Sequence, residues 1–158
     1  MQGHKVSSGA FANISYETRE YGGEYINFMT ALGPVSREHR IPVYRKTLKT
    51  NPSSNFFAIF DNRAGYEDEI SYDDMLIFGD IFIKAGITRV VAASVTNEAG
   101  YRSIVQLSHA VADTKDIDLQ LTSTICMDEA KNFVFSRIPN LSKPSISSFG
   151  LANFSSRA

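Results

Sequence analysis

Apolar and polar positions change rhythm several times along this chain, and each change marks a strand giving way to a helix or back. Residues 12–21 and 24–32 read as strands parted by Gly22-Gly23. A glycine pair supplies the positive φ that a hairpin turn needs. Gly33-Pro34 ends the second run, and Ser36 is an N-cap candidate for a helix over 37–49. Pro42 either kinks that helix or marks its true first turn. Asn51-Pro52-Ser53-Ser54 then breaks it.

The clearest pattern follows. An apolar run, Phe56-Phe57-Ala58-Ile59-Phe60, makes 55–60 a buried strand and stops at Asp61-Asn62-Arg63. An acid-rich loop leads to Ser71 and an apolar helix over 72–85, with Gly86 as its C-terminal stop. Ser71 followed by Asp74 has the spacing of a capping box. A strand is expected over 87–96, where Ala92, Ala93 and Ser94 suit a closely packed helix. A helix over 101–114 gathers Tyr101, Ile104, Val105, Ser108, Val111 and Ala112 on one face. The last strand is 119–126, and Asp128 is read as the cap of a final helix reaching about residue 135.

This order predicts an α/β fold with a mixed, mostly parallel sheet of about five strands, an N-terminal β-hairpin and about four helices. Residues 1–10 are small and polar and read as a flexible lead-in; 11–138 form one domain. From Pro139 the composition becomes Ser-rich with Leu141, Ile146, Phe149, Leu151 and Phe154 spaced through it. That tail, 139–158, is expected to pack on its own domain or on a second subunit.

Composition narrows the function classes. With 158 residues there is enough chain for one real core. A formal net charge of −1 and scattered Lys and Arg argue against nucleic acid. The mild basic cluster Arg45, Lys46 and Lys49 reads as a solvated helix face. The one cysteine, Cys126, permits no internal disulfide and suits a reducing compartment. No run is long and apolar enough to span a bilayer and the first ten residues lack the apolar core of a signal peptide, so a cytoplasmic protein is expected.

Candidate chemistry gathers at the strand ends, where open α/β sheets place their sites. Asp61, Asn62, Arg63, Asn97 and Asp128 would share one rim able to hold a small polar ligand, although Asp61-Asn62-Arg63 also suits plain turn chemistry. Glu67, Asp68, Glu69, Asp73 and Asp74 could in principle attract a hard cation, but no EF-hand spacing is present and acids in a first helical turn favour the helix dipole. No metal site and no cofactor are expected. His4, His39 and His109 show no ligand spacing, Cys126 reads as a small core residue, and no catalytic signature occurs. The helix over 72–85 is apolar nearly all round, which makes Met75, Phe78 and Phe82 interface candidates.

With these elements in place, residues 24–135 resemble the SpoIIAA-like fold of the STAS (anti-sigma-factor antagonist) domains and their bacterial relatives. The resemblance rests on the opening hairpin, on FFAIFDNRAG, on Ile70-Ser71 opening a helix, on AGITRVVAASV and on MDEAKNFV. It implies a non-catalytic regulatory module that engages a protein partner or its own copy. It also implies that Ser71 matches the family's switching hydroxyl, although Glu69-Ile70-Ser71-Tyr72 stands where that family has Asp-Ser-Ser/Thr-Gly. Ile59-Phe60-Asp61-Asn62-Arg63 also resembles the phosphoacceptor strand of receiver domains, without their acidic pair or lysine. The alternative function is a small-ligand binder using the rim or a pocket near the helix 72–85.

Overall fold

The computed structural model describes residues 3–97, 102–139 and 141, with the side chains of 102–104 left aside. The elements run β1 (His4–Phe11), β2 (Ile14–Tyr21), β3 (Glu24–Ala31), α1 (Arg37–Lys49), β4 (Asn55–Asn62), α2 (Tyr72–Lys84), β5 (Arg89–Thr96), α3 (Arg102–Lys115), β6 (Asp118–Thr124) and α4 (Met127–Phe135). The α/β class and the four helices agree with the sequence pattern. The sheet has six strands rather than about five, in the order β1-β2-β3-β4-β5-β6.

The first three strands form an antiparallel meander, and β3 to β6 are parallel to one another. Residues 4–11 are therefore an edge strand and not a flexible lead-in. Its side chains are mostly exposed, so little apolar signal marks it in the sequence. The β1–β2 turn is also unannounced: Ala12 holds φ at 51°, a conformation usually left to Gly or Asn. The β2–β3 turn uses Gly22 and Gly23 at φ 59° and 85°, as the glycine pair predicts.

Side chains alternate across each strand, and this divides the interior in two. On one face Ile14, Tyr16, Met29, Phe56, Ala58, Phe60 and Val90 meet Val43 and Leu48 of α1, with Ile81 and Phe82 of α2 packed against them. On the other, Ile26, Phe57, Ile59, Val91 and Val95 meet Ala130 and Val134 of α4. Ile138 and Leu141, just beyond α4, close this second core. The rest of the proposed tail, including Ile146, Phe149, Leu151 and Phe154, lies outside the described residues.

Buried polar groups in the sheet are paired. Thr18 donates to Asn27 Oδ1 at 2.7 Å, and Asn27 Nδ2 donates to the carbonyl of Phe57 at 3.1 Å.

The helix ends follow elementary chemistry. Ser71 and Asp74 form a reciprocal box at α2: Ser71 Oγ accepts from Asp74 N–H at 3.1 Å, and Asp74 Oδ2 accepts from Ser71 N–H at 3.0 Å. At α1, Ser36 is the N-cap and its N–H donates to His39 Nδ1 at 3.2 Å. Pro42 sits inside α1 rather than at its first turn. Asp128 does not cap α4, whose N-cap is Cys126; Asp128 is an exposed acid in the first turn. Gly86, at φ 85°, follows the C-cap Ala85 of α2 as its stop.

Candidate functional site

At the carboxyl ends of the parallel strands, Asp61, Asn62 and Asn97 are engaged with different neighbours. β4 runs two residues further than expected, so Asp61 and Asn62 lie within the strand. Alternation then sends their side chains to opposite faces. Asp61 is held by Arg63, whose Nε and Nη2 donate to its two oxygens at 3.0 and 2.8 Å. These hydrogen bonds and the positive charge hold the Asp61 carboxyl below its ordinary pKa. Asn62 instead staples the loop that follows: its Nδ2 donates to Tyr66 O at 2.8 Å, and its Oδ1 accepts from Tyr66 N–H at 3.0 Å. Asn97 packs against Gly65, where an added Cβ would stand 2.6 Å from Asn97 Nδ2.

Topology explains the dispersal. A crevice opens at strand ends where neighbouring crossovers leave toward opposite faces. Here β3 to β6 follow one another in order, and no such reversal occurs between them.

Space appears instead beneath the helices. A cavity of about 150 Å³ lies between the sheet and α1, α2 and α3. Phe56, Phe60, Ala92 and Leu121 line it from the strands. Met75, Phe78 and Phe82 line it from α2. The three side chains named as interface candidates line this space, Phe78 being 4% exposed and Met75 and Phe82 half-buried. Tyr44 of α1 completes an aromatic corner, its ring centroid 5.2 Å from Phe78 and 5.1 Å from Phe82.

One end of the cavity is charged. Arg40 Nη2 donates to Asp68 Oδ2 at 2.7 Å, and Arg40 Nη1 donates to the Tyr44 hydroxyl at 2.9 Å. The Arg40 guanidinium also stands 4.5 Å over the Phe60 ring. The side chains of Arg40 and Asp68 are 11% and 5% exposed. Asp68 Oδ1 is buried and accepts no hydrogen bond. Leaving a buried acceptor unmade costs about 1–3 kcal/mol, and more when it is charged. Natural interiors keep few such atoms, and each calls for a physical explanation such as strain, a chemical role or a bound water or ion.

The loop carrying Asp68 is fixed to the start of α1. Val35 N–H donates to Glu67 O at 2.8 Å, and Glu69 N–H donates to Val35 O at 2.9 Å. This short bridge places residues 28 apart in the chain, Arg40 and Asp68, side by side. Arg40 was not a candidate from the sequence. The available signal was Arg40 and Tyr44 at i, i+4 on a helix expected to cover a sheet.

The other acids do not converge on a cation. Asp74 is committed to its cap and to Arg37 Nη1 at 3.3 Å. Among the described residues no group of three or more His, Cys, Asp or Glu side chains could hold a metal ion. Among them, too, no helix is long and apolar enough to cross a membrane. The comparisons with protein-family models, with curated proteins and with solved structures return no match to this chain.

Proposed function

We propose that this chain is a non-catalytic binding module of SpoIIAA-like type that holds a small ligand beneath α2. The observation that carries the reading is the aromatic-walled cavity with a buried, incompletely used carboxylate at one end. Ligand sites are concave and mostly apolar, with a few placed polar groups, and the Arg40–Asp68 end meets that description. The run of strands and helices and the position of Ser71 at the start of α2 support the kinship. The reducing compartment suggested by a lone cysteine fits a cytoplasmic setting.

Binding would be felt beyond the cavity. Asp68 belongs to the loop between Asn62 and the Ser71 cap, so a ligand on Asp68 steadies that loop and the entry to α2. A regulatory partner would read the loop.

A second reading, a protein or self-association module, has its own support. Leu32, Tyr66, Tyr72 and Ile125 are 52%, 39%, 45% and 71% exposed, and all follow the carboxyl ends of parallel strands or open α2. Light scattering across concentration tests it: a dimer that Tyr66→Ser and Tyr72→Ser dissolve supports it, and a monomer throughout counts against self-association.

Thermal unfolding with small neutral aromatics and alcohols tests the first reading. A ligand at one hundred times its Kd stabilises the folded state by about 2.7 kcal/mol. The expected result is a rise in Tm for the wild type that Ala92→Leu, which fills the cavity, abolishes. No rise in Tm, or an equal rise in both proteins, defeats the ligand-binding reading.

A further inference from the structure

The chemistry at the charged end says more about the ligand than that it is small. We propose that the cavity selects a neutral, mainly apolar molecule of about phenol's size that donates one hydrogen bond to Asp68 Oδ1. The inference rests on the ligand-binding reading above and specifies its ligand class.

Four observations converge. First, an ionised carboxylate is acceptor-only, and Oδ1 is the oxygen that Arg40 Nη2 leaves unused. A ligand hydroxyl or N–H is the group that satisfies it.

Second, Arg40 and Asp68 already cancel each other's charge. A cationic ligand would bring an uncompensated charge beside the Arg40 guanidinium, and an anionic one would face the free Asp68 oxygen. Burying an unpaired charge carries a large desolvation penalty. A neutral donor adds the hydrogen bond without the charge.

Third, the remaining walls are apolar. Tyr44, Phe56, Phe78 and Phe82 already meet one another edge-on or tilted, with centroids 5.0 to 6.4 Å apart. Aromatic rings favour such edge-to-face contact, so a flat ring fits among them.

Fourth, the cavity's volume of about 150 Å³ matches engineered cavities that take up benzene. The ligand, or the part of it that enters, has roughly one six-membered ring and a small substituent.

The test is a set of dissociation constants, by calorimetry or ligand-observed NMR, for phenol, toluene, benzylammonium and benzoate. Phenol and toluene have nearly the same shape and differ in the donor. The full chain is used, both as wild type and as the double variant Arg40→Met/Asp68→Leu. Replacing a buried ion pair by apolar residues of similar size is often tolerated. The wild type is expected to bind phenol about tenfold tighter than toluene, as a hydrogen bond to a charged acceptor requires. Benzylammonium and benzoate are expected to bind more weakly than phenol by a similar factor. In the double variant toluene still binds and the preference for phenol disappears.

Toluene binding the wild type as tightly as phenol overturns the donor inference and leaves the ligand-binding reading standing. A charged compound binding most tightly overturns the neutral-ligand inference. Binding of none of the four compounds defeats the ligand-binding reading itself. If the double variant does not fold, the wild-type phenol-to-toluene ratio decides alone, since it needs no variant.

Discussion

The two faces of the sheet are built from the same strands and solve different problems. Toward α4 the interior is uniformly apolar and closed: Ile26, Phe57, Val91, Val95, Ala130, Val134 and Ile138 are all fully buried. Toward α1, α2 and α3 the strands meet longer, more aromatic side chains, a buried ion pair and a cavity. One helix laid on a sheet can settle until every gap is filled. Three helices, each a crossover between neighbouring strands, must also pack on one another, and their spacing limits how closely each approaches the strands. The α4 face is a closed core, and the other face carries the cavity proposed here as the site.

Substitutions can break or sharpen that contrast. The largest effect is expected at the centre of the closed face. Phe57→Ala should lose about 3–5 kcal/mol of unfolding free energy in a denaturant titration. A loss under half of that would mean the face is looser than its burial implies. On the cavity face, Asp68→Ala should cost about 3 kcal/mol, because it leaves the Arg40 charge buried without its carboxylate. Arg40 keeps Tyr44 and Phe60, which holds the cost at the lower end. The double variant Arg40→Met/Asp68→Leu should recover most of the loss, and a failure to recover would give the pair a structural role beyond charge compensation.

Adding volume probes the same contrast from the other side. Ala130→Leu, in the closed core, should destabilise by about 1–3 kcal/mol through overpacking. Ala92→Leu, at the cavity wall, should cost less than Ala130→Leu or nothing. Equal costs in the two thermal scans would refute the difference between the faces.

The smallest effect belongs to the rim. The Arg63 guanidinium holds the Asp61 carboxyl below its ordinary pKa. A carboxylate with a depressed pKa stabilises the fold above its unfolded value, and the contribution is lost as pH falls through the lowered one. Arg63→Ala should therefore cost the least of these substitutions at neutral pH, because solvent screens an exposed pair. Stability measured against pH should converge with the wild type in acid, once Asp61 is protonated.

Much of the fold was readable because periodicity and stop signals agreed. The apolar run at 56–60, the Ser71–Asp74 box and the glycine at 86 place β4 and α2 correctly to within two residues. β1 was not readable because an exposed edge strand has no apolar face to display, and its turn relies on Ala12 rather than glycine. Asp128 was misplaced by one turn's logic: an acid near a helix start serves the dipole as well from the first turn as from the cap.

The proposed site was legible only in fragments. Asp68 stood out as one acid among five, and Met75, Phe78 and Phe82 as surplus apolar side chains. Their meeting with Arg40 depends on the bridge between Val35 and the 66–70 loop, a tertiary contact with no local signature. The rim residues divide for a complementary reason. Adjacent residues at the end of a strand face opposite ways, so Asp61 and Asn62 cannot share a ligand by being neighbours in sequence.

The methionines offer the most direct measurement. Met29 and Met75 line the cavity, whereas Met127 packs against the α4-side core. With the methionine methyls carbon-13 labelled, phenol is titrated into the full chain and the methyl resonances are followed. Saturable shifts of Met29 and Met75 with Met127 unmoved are the predicted result. No shift at any concentration, or a parallel shift of Met127, would contradict a ligand site confined to the space beneath α2.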